Sequence, residues 1–161
     1  MPAGAPMQFY IETMGLKKVT LNLKQMGTKA ARARPAMEKA AAYLFEVESK
    51  IFSGQGRRGG GSWPAISAEW EARKVAMGYD SRILFMRHQL RDSMAVPGAA
   101  NQQLHIGDTR LIIASTLDYA AKQQRTRDFT KLLPQDKAVL RAFIKDHITS
   151  VYKARRSRGE A

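Results

Sequence analysis

Met37, Ala40, Ala41, Leu44, Val47 and Ile51 recur at three- and four-residue steps, and a chain with that pattern is committed to a helix that needs a core along one side. Pro35 stands at the head of the run, where the first helical turn tolerates a missing N–H, and the alanines raise helix propensity along it. Leu140, Phe143, Ile144, His147, Ile148 and Val151 repeat the pattern behind Pro134. Two one-sided helices far apart in sequence must therefore bury their faces against what lies between them. At 161 residues and 44% hydrophobic content, that makes one domain over 1–161 with one core of ordinary size.

The shorter elements are less regular. MQFYIE, at 7–12, reads as a short strand, and VTLNLK, at 19–24, alternates as a second strand would or as the run-in to a helix. Ser67 is placed to cap a helix carrying Glu69 in its first turn, with Gly78 just past its end. Ile83, Leu84, Arg87, Leu90 and Met94 predict another helix over 81–94. Leu104, Ile106, Leu111 and Ile113 flank Gly107-Asp108, a β-hairpin pattern whose turn needs the positive φ that glycine supplies freely. The expected fold class is α+β: a small antiparallel sheet packed against two long helices, with short helices after a glycine-rich loop at 53–62.

That loop, within GQGRRGGGSWPAIS, poses a choice between an RNA-binding arm and a connection. Arms of the first kind carry many Arg-Gly repeats, whereas here there is one, so a flexible connection is favoured, with Arg57 and Arg58 available to an anionic partner. Trp63 and Trp70 read as core anchors rather than base-stacking platforms.

The net charge is +13, and its excess gathers late: eleven Lys or Arg against four acids over 119–161, compared with four of each over 79–118. Such a balance draws phosphate or carboxylate partners without naming a fold. The basic extension at 153–161, with Arg155 and Arg156, reads as a solvated helix end. The chain has no cysteine, which excludes disulfides, thiolate catalysis and Cys-ligated zinc. No secretion-signal pattern or membrane-length apolar run is seen, so the chain is expected to fold in a cytosol.

Catalytic constellations are not in view. His88, His105 and His147 are far apart and none has a second ligand at metal spacing, so no metal or cofactor is expected. The glycine-rich loop lacks the lysine of a phosphate cradle, and no glycine-flanked serine forms a nucleophile elbow. Glu46 and Glu48 are read as lying on different helix faces and solvated, as are Glu69 and Glu71 on their helix.

A succession in the second half carries more. Trp63-Pro-Ala-Ile66-Ser67, Lys74, Ile83-Leu84, Gln89-Leu90-Arg91-Asp92-Ser93, Leu104-His-Ile-Gly107, Asp118-Tyr119-Ala120, Gln123-Gln124 and Arg127-Asp128-Phe129 occur in that order. Over residues 40–152 this resembles the phage virion morphogenesis family, the tail completion or neck proteins of tailed bacteriophages. Three details depart from the family pattern: Gln123-Gln124 replaces His-Gln, the glycine after it is missing, and Arg127-Asp128-Phe129 replaces Arg-Pro-Phe.

The resemblance implies a non-catalytic structural subunit of the virion, made in the host cytoplasm, forming a ring with copies of itself, expected as a hexamer, and meeting head–tail connector and tail proteins. Trp63, Ile66, Leu84, Leu90, Arg91, Tyr119, Arg127 and Phe129 match its motifs. Arg57, Arg58, Arg155 and Arg156 would then face neighbouring subunits or DNA in the ring lumen. The alternative function is a small, sequence-nonspecific nucleic-acid-binding protein, whose affinity would fall linearly with salt on logarithmic axes.

Overall fold

The computed structural model of the protein describes residues 8–12, 18–24, 32–58, 60–108 and 110–158. Its elements are β1 (Gln8–Glu12), β2 (Lys18–Lys24), α1 (Arg34–Ser53), α2 (Ala68–Ala76), α3 (Gln89–Ala95), β3 (Gln102–Ile106), β4 (Arg110–Ser115), α4 (Ala120–Thr126) and α5 (Pro134–Arg156). The class is α+β, with two long helices, short helices after the glycine-rich loop and an antiparallel sheet in the order β1-β2-β4-β3. VTLNLK is thus a strand, in register with the hairpin: Val19 pairs with Ile113 and Leu21 with Leu111.

Position in the sheet explains the hairpin's burial. β4 lies between two strands and buries Leu111 to Ser115, on both faces, whereas β3 is an edge whose Leu104 stays exposed. The helices α1 and α3 pack on this hairpin, and α5 packs on α1. Ser93 Oγ fastens α3 to the sheet, donating to Leu90 O at 2.8 Å and lying in hydrogen-bond contact with Ser115 Oγ at 2.9 Å.

The core is built on α1, which buries Met37, Ala40, Ala41, Leu44, Val47 and Ile51 as its periodicity predicts, and Phe52 beside them. Phe52 is the hub of an aromatic group, with ring centroids 5.5 Å from Trp63, 6.4 Å from Phe85 and 5.6 Å from Phe129. Leu140 and Ile144 of α5 join the same cluster.

The loop after α1 is tied down rather than merely spanning. Gln55 donates its amide to Phe52 O at 2.8 Å and to Ile83 O at 3.3 Å, and accepts from Ile83 N at 2.6 Å. Gly56, at φ +75°, has no room for a side chain, because a Cβ there would stand 2.3 Å from Trp63 Cδ1.

Arg58, expected to face a subunit or DNA, turns inward. Its guanidinium makes a two-pronged pair with the fully buried Asp136, which also accepts from Tyr43 Oη at 2.8 Å and Leu133 N at 2.7 Å. The reach of Asp136 back to Leu133 closes the start of α5, as a third-position acid does in a capping box. Arg57 is exposed. The side chains of Arg155 and Arg156, at the end of α5, lie outside the described residues.

Two further expectations are corrected. The helix predicted over 81–94 begins only at Gln89, because Leu84 (φ +63°) and His88 (φ +57°) take left-handed conformations that no α-helix accommodates. Glu48 is 1% exposed rather than solvated, and neither of its carboxylate oxygens has a hydrogen-bond partner.

Candidate functional site

The helix α2 forms where its ends are satisfied. Ser67 Oγ accepts from Trp70 N at 3.2 Å, and past the other end Gly78, at φ +77°, lets Gly78 N reach Val75 O and Tyr79 N reach Lys74 O, each at 2.9 Å. Both ends agree with the sequence expectation.

Its faces are reversed. The one buried residue of α2 is Lys74, while Trp70 is 38% exposed, Val75 56% and Met77, at its C-cap, 46%. Trp70 is therefore not the core anchor its residue type suggested, whereas Trp63 is, at 7% exposed. The Lys74 ammonium donates to Arg82 O at 2.6 Å, holding the backbone that runs on to Ile83. Burial lowers the Lys74 pKa, an effect that Asp80 and Glu71 partly offset.

Between α2, the segment 83–90 and the start of α4 lies an open groove of about 520 Å³. Ile66, Ile83, Leu84, Met86 and Leu90 supply most of its apolar lining, with Trp70 and Tyr119 as its aromatic walls. Among the described residues Lys74, Arg87 and Arg127 are its charged residues, and no carboxylate lines it. None of these three forms an ion pair among the described residues, whereas Arg34, Lys50, Arg58, Arg82 and Arg91 all do. Arg127 donates from Nη1 to Gln123 Oε1 at 3.1 Å, and its buried Nε has no partner.

The motif residues divide cleanly. Ile66, Leu84, Leu90, Tyr119 and Arg127 meet in the groove, although 61 residues separate the first from the last (127 − 66). Trp63 and Phe129 belong to the core cluster behind it. Arg91 stands apart, paired with its neighbour Asp92 through Nε at 2.7 Å, with its guanidinium 5.9 Å from the Phe85 ring centroid.

One departure from the motif pattern, Asp128, has local work to do. Gln124 is buried, donates to Asp128 Oδ1 and, at 2.8 Å, to Thr130 Oγ1, and accepts from Phe129 N at 3.1 Å. Asp128 in turn accepts from Thr130 N at 3.1 Å. This knot closes the turn after α4 and sets Phe129 into the core.

Sequence reasoning missed two groups. Glu48 lies four residues after Leu44 and three before Ile51, so the helical step that predicted α1 also puts it on the buried face. Asp136 had a weaker signal, its place in the first turn of α5, while its partner Arg58 is 78 residues away.

Chemically the groove can hold an apolar side chain beside a negative charge. Among the described residues no group of three or more His, Asp or Glu is placed to share a metal ion, and no helix is long and apolar enough to cross a membrane. No family model, no curated protein and no solved structure matches this chain.

Proposed function

We propose that this chain is a structural virion protein of the phage neck or tail end, a subunit that forms a ring with copies of itself and helps to join the portal assembly to the tail. One observation carries the reading: the motif residues that suggest the family do not scatter, five of them lining one partly apolar groove and two filling the core directly behind it. That arrangement suits a surface that binds and a scaffold that keeps it in shape. In this reading the protein is made in the host cytoplasm and ends in the particle, contacting connector and tail proteins.

The decisive experiment deletes the coding sequence from the phage genome that carries it and images the particles by electron microscopy. Filled heads accumulating apart from finished tails are the expected result, and purified protein should sediment as a ring-sized oligomer. Complete, infectious particles would overturn the reading.

A second reading, a nonspecific nucleic-acid binder, rests on Lys137, Arg141 and Lys145, exposed at four-residue steps along α5. It predicts double-stranded DNA binding at low salt that weakens with salt by a slope of several phosphates and falls when these three residues are changed to Glu.

A further inference from the structure

We infer that the groove between α2, the segment 83–90 and α4 is a docking site for a short acidic segment of a partner protein, one that inserts a single large apolar side chain against Trp70 and Tyr119 and sets carboxylates beside Arg87 and Arg127. The inference rests on the function proposed above only in taking the partner to be a protein.

Charge complementarity points to an acidic occupant. Among the described residues the groove is lined by Lys74, Arg87 and Arg127 and by no acid, and none of the three is ion-paired there. Arg87 and Arg127 are the cations an entering carboxylate would meet, because the Lys74 ammonium is already held on Arg82 O with Asp80 and Glu71 near it.

The walls point to an apolar anchor. On α2 the Trp70 ring, a wall of the groove, is exposed while the lysine is buried, an orientation that leaves large hydrophobic surface in water unless something covers it. The volume of about 520 Å³ is in the range of pockets that take a compact ligand group. Aromatic walls with arginines at hand are the composition of binding hot spots.

The lining also favours protein over nucleic acid. Five aliphatic side chains or methionine make up much of it, and the Lys74 ammonium is turned away to Arg82 O, so a phosphate track of several cations is not provided here.

The test selects a random 12-residue peptide library on the full-length chain and measures the selected peptides by fluorescence anisotropy. Enrichment for Asp or Glu flanking one aromatic or large aliphatic residue is expected. Affinity should fall tenfold or more for Arg127→Glu, Arg87→Glu and Trp70→Ser, and should stay within twofold for Lys39→Glu, an equal charge change at an exposed position of α1. Circular dichroism and melting of each variant separate lost binding from lost folding, and Arg87 and Trp70, both exposed, carry the result if Arg127→Glu unfolds.

Selection of no peptide, selection without acidic residues, or equal weakening by Lys39→Glu would overturn the inference. So would a single-stranded oligothymidine that binds in the groove, weakened by the same three variants, while no peptide does. Peptide binding that persists although deletion of the coding sequence leaves infectious particles intact would sink the neck assignment and leave the docking site standing. Failure of binding beside unjoined heads and tails would do the reverse.

Discussion

The helices α1 and α2 sit on either side of the glycine-rich loop and solve opposite problems. α1 buries ten of its twenty residues, and its apolar face is the centre of the molecule. α2 buries one of nine, a lysine, and contributes nothing to the core cluster. The first is held by packing, the second by its two caps and by a single bond from Lys74 to the Arg82 carbonyl. Amphipathic composition alone does not say which way a short helix faces. What decides is whether its ends and its one long polar side chain can be satisfied while its apolar side chains wait for a partner.

The largest test of that contrast compares one aromatic ring from each helix. Phe52→Ala removes the hub of the Trp63, Phe85 and Phe129 group and should cost roughly 3–5 kcal/mol in denaturant unfolding. Trp70→Ala should change stability by less than about 1 kcal/mol, since its ring is 38% exposed and stands outside the core cluster. Equal losses would mean that α2 is a structural element after all.

Of similar size is the difference between adjacent arginines in the loop that joins the two helices. Arg58→Glu strands the buried Asp136 carboxylate and should cost roughly 3–5 kcal/mol, whereas Arg57→Glu should stay within about 0.5 kcal/mol. The pH dependence has a definite sign. Burial alone would raise the Asp136 carboxyl, but Arg58, the Leu133 N–H and the Tyr43 hydroxyl together hold it below its ordinary 3.8. Its stabilising contribution is therefore present above that value and is lost as pH falls toward the lowered one; Asp136→Asn should flatten this acid limb in a melting series.

The smallest effect tests the one ionisable residue each helix buries. Lys74 has a partner and Glu48 has none. Burial pushes the Glu48 carboxyl well above its ordinary 4.5, the nearby Asp128 raises it further, and Arg58 pulls it partly back. A raised carboxyl costs stability as pH climbs past its unfolded value, so Glu48→Gln should stabilise by about 1–2 kcal/mol at pH 8 and give almost none of that gain below pH 4.5. Lys74→Met should act in the other direction, by about 1 kcal/mol, because it removes the shorter bond to the Arg82 carbonyl and leaves only the one from Phe85 N at 3.3 Å.

Local signals carried much of the fold. The step from Met37 to Ile51, Pro35 and Pro134 at helix starts, Ser67 and Gly78 at the ends of α2, and Gly107-Asp108 between two apolar runs each act within a few residues, and each element is where those signals put it, although Gly107 turns the hairpin without the positive φ expected of it. The segment 81–88 shows the limit. Ile83, Leu84 and Arg87 have helical spacing, yet the Ile83 backbone is bonded to the Gln55 side chain and the Arg82 carbonyl to Lys74, and those contacts hold Leu84 in a left-handed turn. Most of the candidate site was legible as motif residues without any hint that they share a wall; Trp70, Met86 and Arg87 entered it only through the fold.

By itself, then, the sequence determined the two long helices with their buried faces, the ends of α2, the hairpin, and a charge balance that seeks anions, since propensity, periodicity, caps and charge are properties of neighbours along the chain. Only the tertiary structure decided that Arg58 turns inward to Asp136, that Glu48 is sealed without a partner, that α2 wears its apolar side chains outside, and that Ile66 and Arg127 line one groove. Those outcomes depend on which side chain reaches a buried polar group across tens of residues of chain, a competition settled by geometry and desolvation rather than by residue type.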